Sequence, residues 1–214
     1  MHIETIPSGP IQTNTYVAYG VPGGECFIVD PADAKKATAY LKAQGLTLTY
    51  ILLTHGHFDH ILGVAQLQEE TGAKVFIGAP DAAALYDDTE NLSTMSRYPV
   101  RACRADRALN DGDIFEAAGF TIKAIATPGH TLGGMCYVVE SERVLFAGDT
   151  LFKLSVGRSD LPGGDPKALF HSISYKLFPL PGDTTVYPGH AGSTTLETER
   201  LHNPYMKRFD PEIW

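Results

Sequence analysis

One segment, residues 54–60 with the sequence THGHFDH, constrains this chain more than any other. It directly follows a short apolar run, which is typical of a buried strand. Side chains two apart in an extended backbone point the same way, so His55 and His57 can reach one cation, while Asp59 and His60 turn toward a second. Four donor side chains in six residues at the end of a strand therefore predict a metal site rather than an ordinary polar loop.

Three later segments each place one more donor side chain just after an apolar strand and a glycine. These side chains are His130, in the sequence TPGHT, Asp149, in AGDT, and His190, in YPGH. A single Pro-Gly-His is a weak signal because it is also a simple turn with a polar tip. Two of them, together with the Gly-Asp and the first loop, form a pattern that rarely arises by chance. No metal role is predicted for the remaining histidines, His2, His171 and His202.

Seven candidate ligands result, and their chemistry suits two divalent cations. Three neutral imidazoles suit one cation, and two imidazoles with a carboxylate suit the other. Nitrogen and oxygen ligands without a thiolate fit zinc, which is our first expectation, but they also fit iron or manganese. The predicted ligands are His55, His57 and His130 for the first ion, Asp59, His60 and His190 for the second, and Asp149 as a bridge between them.

Length and composition favour one globular domain over residues 1–214, with two small halves sharing a core as the alternative. A net charge of -8 argues against nucleic-acid and anionic-membrane binding, which need clustered Lys and Arg. The chain shows no signal peptide and no apolar run long enough to cross a bilayer. Because Cys26, Cys103 and Cys136 do not form a disulfide framework, we expect a cytoplasmic protein; its oligomeric state is not indicated.

The spacing of apolar residues, glycines and prolines predicts strands followed by helices in both halves of the chain. The predicted strands cover 11–19, 25–30, 50–53, 74–77, 113–116, 120–126, 135–140, 144–147 and 184–187. The predicted helices cover 33–44, 61–71, 165–176 and 195–202, and another begins at 80–85. Residues 86–107 are polar and weakly periodic, which predicts a mobile loop over a site. We expect two packed sheets with helices outside and a site at the edge where both halves meet.

The donor pattern resembles the metallo-β-lactamase superfamily, whose mark is His-x-His-x-Asp-His followed by spaced His, Asp and His. The resemblance covers residues 9–205 and implies an α/β chain folded as an αββα four-layer sandwich. The sequences TPGHT, GDTLF and VGRSDLPGGD resemble the glyoxalase II-like hydrolases, which cleave acyl-glutathione thioesters. True β-lactamases of the superfamily lack a histidine at the place of His60 and use a cysteine at that of Asp149. The resemblance therefore argues against antibiotic hydrolysis.

The resemblance implies a hydrolase acting on a small-molecule thioester, in which a hydroxide shared by two metal ions attacks the carbonyl. Asp59 is then a catalytic residue as well as a ligand, because it orients the hydroxide. Long glyoxalase II enzymes hold the glutathione carboxylate with a C-terminal helical domain, for which this chain has no counterpart. Arg158 aligns with a basic residue of that family. It is either a substrate-binding residue or the ion-pair partner of Asp160 or Asp165.

Other functions stay open from the sequence. A persulfide dioxygenase of the same superfamily uses a single iron held by two His and one Asp, and lactone or other ester hydrolysis needs the same dinuclear centre. Nuclease activity is disfavoured by the acidic charge and by the missing basic surface. A non-catalytic metal-binding module is the non-enzyme alternative, against which the intact set of seven donors argues.

Overall fold

The structure is a computed structural model that describes residues 1–208. Within these residues the strands form two six-stranded sheets and one short hairpin. The first sheet contains, in both chain and spatial order, β1 (His2–Ser8), β2 (Thr13–Tyr19), β3 (Glu25–Val29), β4 (Thr47–Leu53), β5 (Lys74–Gly78) and β6 (Arg107–Leu109). The second sheet contains β7 (Ile114–Ala117), β8 (Phe120–Ala126), β9 (Met135–Val139), β10 (Val144–Gly148), β13 (Thr185–Pro188) and β14 (Thr194–Thr195). The hairpin pairs β11 (Leu151–Phe152) with β12 (Ser155–Val156).

The helices of the described chain are α1 (Ala34–Gln44), α2 (Phe58–Ile61), α3 (Val64–Thr71), α4 (Pro166–His171) and α5 (Leu196–His202). Local sequence explains where α1 begins and ends. The Asp33 carboxylate accepts hydrogen bonds from the backbone N–H groups of Lys35 and Lys36, and Gly45 ends the helix with a left-handed φ of 64°. Asp165 caps α4 in the same way. None of the helices in residues 1–208 has the length and apolar composition needed to cross a bilayer.

Three apolar clusters separate the layers of the molecule. The central cluster joins the two sheets, and the strand alternation shows it: Tyr16 and Ala18 of β2 face the second sheet, while Val17 and Tyr19 face α1 and α3. A third cluster packs α4 and α5 against the outer face of the second sheet, with Leu169 and other apolar residues buried there. The order is helices, sheet, sheet, helices. The αββα four-layer α/β architecture expected from the sequence is confirmed.

Several predicted elements have different bounds in the structure. The prediction missed β1, because its partly buried apolar residues Ile3 and Ile6 lie three apart and the strand is held by pairing with β2 rather than by an alternating face. The predicted helix 61–71 is wrong at its start: Gly63 separates α2 from α3, and its N–H donates to the Pro31 carbonyl at 2.8 Å. A Cβ at Gly63 would lie 2.6 Å from that carbonyl oxygen.

Two other predicted helices are only partly regular. The one starting at Pro80 is a 3-10 helix, Ala79–Leu85. The predicted helix 165–176 is α-helical only to His171 and continues as a π-helix over Ser172–Leu177. The predicted loop contains one short 3-10 turn, Ser93–Met95, and ends in β6, which the prediction also missed.

The strand directions bring the predicted donors to one edge. β3, β4 and β5 run parallel, so they end at the same edge of the first sheet. β8, β10 and β13 also share a direction, because β9 is antiparallel to both of its neighbours and β13 is parallel to β10. The two edges are joined, since the Met135 N–H donates to the Thr54 carbonyl at 2.7 Å and the Asn14 N–H to the Gly189 carbonyl at 2.8 Å.

Candidate metal centre

Three buried imidazoles form the first group of donors. The ring centroids of His55, His57 and His130 are 4.7, 4.8 and 4.6 Å apart, and the ring planes are nearly perpendicular to one another. One nitrogen of each ring lies within 4.8 Å of a nitrogen of the other two. Three imidazole nitrogens converging in this way match the ligand set of a zinc site that keeps an open position.

Asp59, His60 and His190 form the second group. The Oδ2 atom of Asp59 lies 3.2 Å from Nε2 of His60 and 3.4 Å from Nε2 of His190. Asp149 lies between the two groups: its Oδ1 is 3.4 Å from Nε2 of His60, and its Oδ2 is 3.6 Å from Nε2 of both His130 and His190. The predicted bridging position of Asp149 therefore agrees with its contacts.

Two glycines allow this close approach. Gly148, just before Asp149, has a φ of 48°, and a Cβ there would overlap the Thr54 side chain. A Cβ on Gly189, just before His190, would overlap Asp149. The glycines that precede Asp149 and His190 are therefore required by contact with another strand end.

His60 and His130 are each oriented through the ring nitrogen that does not face the other donors. Nδ1 of His60 is 2.9 Å from Oδ2 of Asp30, and Nδ1 of His130 is 2.7 Å from the Arg158 carbonyl oxygen. Asp30 also accepts hydrogen bonds from the Thr54 N–H and hydroxyl, at 2.8 and 2.6 Å. Sequence reasoning missed Asp30 as a site residue, although it follows the apolar strand β3 just as the predicted donors follow theirs.

Asp81 is a second residue that the prediction missed. Its buried carboxylate accepts hydrogen bonds from the Gly56 N–H at 3.1 Å, the Thr131 hydroxyl at 2.7 Å and the Gly133 N–H at 2.6 Å. Gly56 lies between His55 and His57, and Thr131 follows His130. Asp81 thus fastens together the two loops that carry the first group.

The donor set passes a test for metal binding that the structure itself provides. Buried polar atoms are normally hydrogen-bonded. In the described chain five buried side-chain nitrogen or oxygen atoms have no hydrogen-bond partner, and four of them belong to the two groups or to Asp149. They are Nε2 of His55, His60 and His130 and Oδ1 of Asp149. Four such atoms without a partner, gathered at one site, are what ligands of divalent cations would be.

The electrostatics of the first group also suit a metal. Burial and the neighbouring imidazoles hold the pKa of His55 well below its usual value, and the same causes lower the pKa of His57 to about 3. Both rings are therefore neutral at pH 7, which is the form that binds a cation. Burial opposes ionisation of Asp59, but the charge of His60 and several hydrogen bonds outweigh it and keep the pKa of Asp59 well below its usual range.

In the second group the imidazoles attract protons. Burial would lower the pKa of His60, but Asp59, Asp149 and Asp30 together raise it well above its usual value. The pKa of His190 is also raised, since its contacts with Asp59 and Asp149 outweigh burial. A divalent cation would replace these protons as the partner of the carboxylates.

The structure brings all seven predicted ligands together at one edge; their role as ligands stays a prediction. The Arg158 side chain is exposed and forms two hydrogen bonds with Asp160, at 2.8 and 2.7 Å, so it does not reach Asp165. His2 and His171 lie elsewhere, against Tyr19 and Tyr175.

The predicted loop 86–107 does border the site. The Phe58 N–H donates to the Asn91 carbonyl at 2.8 Å, and the Phe58 ring stacks on Tyr98. These contacts tie the loop to the segment between His57 and Asp59.

A family model described as "Metallo-beta-lactamase superfamily" matches residues 8–190. The chain belongs to this superfamily. Among superfamily relatives, the probable metallo-hydrolase YqgX of Bacillus subtilis (strain 168) is 36% identical over 211 residues, which are 98% of this chain and 99% of the relative. The hydroxyacylglutathione hydrolase GloC of Haemophilus influenzae is 31% identical over 208 residues, 96% of this chain and 98% of the relative.

Solved structures of the superfamily agree in fold. BLEG-1, a B3 metallo-β-lactamase, has a TM-score of 0.92 at 40% identity, covering 96% of this chain and 99% of that one. TTHA1623, crystallised in a di-iron-bound form, has a TM-score of 0.79 at 35% identity, covering 94% and 99%. ETHE1 from Myxococcus xanthus has a TM-score of 0.82 at 27% identity, covering 99% and 87%. The fold and its His and Asp groups indicate a divalent metal pair in a metallo-hydrolase.

Proposed function

We propose that this superfamily member is a dinuclear-metal hydrolase that cleaves thioesters. The observation that carries the proposal is the convergence of seven donors in two groups, with Asp149 in contact with both. In this proposal His55, His57 and His130 would hold one ion, Asp59, His60 and His190 would hold the other, and Asp149 would be a ligand of both. Zinc fits this nitrogen and oxygen set, and iron and manganese fit it as alternatives.

Divalent cations held there would lower the pKa of water from about 15.7 to about 7 and would polarise a substrate carbonyl. Asp59 orients the attacking water. Its Oδ2 accepts a hydrogen bond from the Thr13 hydroxyl at 2.7 Å and contacts His60 and His190, so we assign Oδ1 to the water. Because the pKa of Asp59 is held low, this carboxylate is a weak base that takes a proton only late in the reaction.

The side chains at the site differ in exposure, which gives the substrate a direction of approach. The His55 and His57 side chains are buried, whereas the His190 side chain is 26% exposed. His60 and Asp59 of the second group are buried as well, so His190 alone is open to solvent, and we infer that the substrate enters from its side. A water held deep in the site, away from bulk solvent, is well placed to attack a carbonyl above it.

Thioester specificity is supported by the relatives rather than by the metal ligands. GloC of Haemophilus influenzae, described as a hydroxyacylglutathione hydrolase, aligns with 96% of this chain. The segments TPGHT and GDTLF, which resemble glyoxalase II-like hydrolases, carry His130 and Asp149 and therefore lie at the site itself.

The test combines metal analysis with release of free thiol from a panel of thioesters. We expect two metal ions per chain and thiol release by the wild type. Asp59→Ala and His57→Ala should abolish turnover while far-ultraviolet circular dichroism stays unchanged. His171→Ala, an exposed histidine outside the site, is the matched control and should keep full activity. Retained turnover in metal-replete Asp59→Ala would refute the assignment.

Three other candidates are distinguished when oxygen uptake, a lactone and a β-lactam are added to the same assays. A persulfide dioxygenase, favoured by the similarity to ETHE1, would bind one iron per chain and consume oxygen. Lactone or other ester hydrolysis would leave the metal count unchanged and shift the preferred substrate. β-Lactam hydrolysis, which the sequence argued against, returns as a candidate because BLEG-1 is 40% identical over 96% of this chain. Cleavage of a β-lactam with a higher kcat/KM than that of every thioester would identify β-lactam hydrolysis as the function.

A further inference from the structure

A cavity of about 250 Å³ lies against His57 on the side of the first group. Its walls come from the Ala79–Leu85 turn, from the segment after His130 and from the turn at 162–163. The apolar lining residues are Pro80, Ala84, Leu132 and Pro162. The cavity therefore adjoins the metal centre through His57, which is the one predicted ligand in its lining.

Leu132 is the most informative residue of this wall. It is 66% exposed, yet its backbone is held on both sides, because the Thr131 hydroxyl and the Gly133 N–H both bond to Asp81. A large apolar side chain fixed in an exposed position two residues after His130 offers a preformed contact surface. A bound apolar group would cover it without a cost in loop ordering.

The charges that line the cavity disfavour an anionic substituent. Its lining contains no Lys or Arg, but it does contain the carboxylates of Asp81 and Glu90. The Asp81 carboxylate accepts three hydrogen bonds from within the protein, and Glu90 is exposed at the rim. Arg158, the predicted carboxylate anchor, already pairs with Asp160. An anionic substituent would therefore meet like charge in the lining itself and find no Lys or Arg there to pair with.

We propose that this cavity is the subsite for an uncharged, apolar substituent of the substrate, of the size of a short alkyl chain or one aromatic ring. A cavity of about 150 Å³ with apolar walls accepts benzene, so the volume is sufficient. The other half of the substrate then extends toward the exposed side of His190. The assignment rests on the proposed thioester hydrolysis, whose substrate class it narrows.

The first experiment compares thioesters that share one small uncharged thiol, N-acetylcysteamine, and differ in the acyl group: acetyl, hexanoyl, phenylacetyl and succinyl. A second series keeps the acetyl group and varies the thiol between benzyl mercaptan and 3-mercaptopropionate. Either the acyl group or the thiol enters the cavity, and the series that varies this half should show the preference. In that series kcat/KM should be about tenfold or more higher for the apolar compounds than for the carboxylated one. Equal rates in both series would overturn the proposal.

Leu132→Ala should lower the preference for the apolar member about threefold to tenfold, since it removes apolar contact area. The matched control is Val21→Ala: Val21 is also 66% exposed but lies in the turn between β2 and β3, at the end of these strands opposite to the metal centre. It should change nothing. Equal effects of the two substitutions would show that Leu132 does not line the subsite.

Glu90→Lys tests the charge argument. It should raise kcat/KM for the carboxylated member about tenfold, because it replaces a like charge with an opposite one near the bound group. Glu25→Lys makes the same charge change at the exposed start of β3 and is the control. A rise of the same size in Glu25→Lys would assign the effect to net charge and refute a local role of Glu90.

A binding experiment separates failure of the subsite from failure of the proposed function. Benzyl mercaptan and 3-mercaptopropionate both present a thiol to the zinc-loaded protein, and calorimetry measures their dissociation constants. Benzyl mercaptan should bind more tightly than 3-mercaptopropionate, and Leu132→Ala should weaken its binding. This result supports the subsite even if no thioester is cleaved; in that case only the proposed function fails. Thioester cleavage with tighter binding of 3-mercaptopropionate, and with no preference for an apolar acyl group, would refute the subsite and leave the function standing.

Discussion

Asp81→Asn is expected to loosen the first group of donors while leaving the rest of the fold in place. In the wild type, Oδ1 of Asp81 accepts a hydrogen bond from Gly133, and Oδ2 accepts two, from Gly56 and Thr131. In the variant an amide nitrogen replaces one oxygen. If it replaces Oδ2, the Thr131 hydroxyl can turn and accept from it, but the Gly56 N–H then faces another donor. The opposite amide orientation leaves the Gly133 N–H unpaired instead.

The structure sets the size of the effect. A buried donor left without an acceptor costs about 1–3 kcal/mol, so the free energy of unfolding should fall by about 2 kcal/mol. For a chain of this length each kcal/mol lowers the thermal midpoint by about 2–4 °C. The freed Gly56 also lies between His55 and His57, so we expect the zinc affinity of the first group to fall about 10- to 100-fold, as when an orienting partner is lost.

The assay measures both quantities. Urea unfolding of the chelator-treated protein gives the free energy, and competition with a chromophoric chelator gives the zinc affinity. Glu199→Gln is the matched control: this buried carboxylate also accepts three hydrogen bonds, from the Leu154 N–H, the Thr194 hydroxyl and the Asn203 side chain. It should lose similar stability and keep its zinc affinity. Unchanged affinity in Asp81→Asn, or an equal loss in Glu199→Gln, would refute the role given to Asp81.

Two further outcomes follow from local contacts. Asp33→Ala removes the cap that accepts from the N–H groups of Lys35 and Lys36, so unfolding should become easier by about 1 kcal/mol and the thermal midpoint lower by about 2–4 °C; an unchanged midpoint would contradict this. Burial raises the pKa of the Cys103 thiol to about 11. Because this exceeds the unfolded value of about 8.5, the thiol's contribution to stability is complete below pH 8.5 and is lost as pH rises toward 11. Urea unfolding from pH 7 to 10 should show a flatter pH dependence in Cys103→Ala than in the wild type.

Local order along the chain was sufficient to predict seven of the side chains that gather at the site. Each of the seven predicted ligands follows an apolar strand directly or within a few residues, and a strand end is a local feature that apolar runs and glycines reveal. The two-sheet architecture could be predicted for the same reason, since both halves repeat the order of strands and helices. The edge strand β1 was not predicted, because it is stabilised by pairing with β2 and not by burial of an apolar face.

Packing of the two sheets decided the rest. Asp149 contacts both groups because the strand that precedes it, β10, lies between two others. β10 pairs with β13, which precedes His190, and with β9, which follows His130. Asp30 and Asp81 orient the site through hydrogen bonds to residues 24 to 52 positions away in the chain, and no sequence pattern records such pairs. The partner of Arg158 was open until the turn geometry selected Asp160. Residue type and spacing are local properties, whereas these contacts exist only once distant strand ends share one edge.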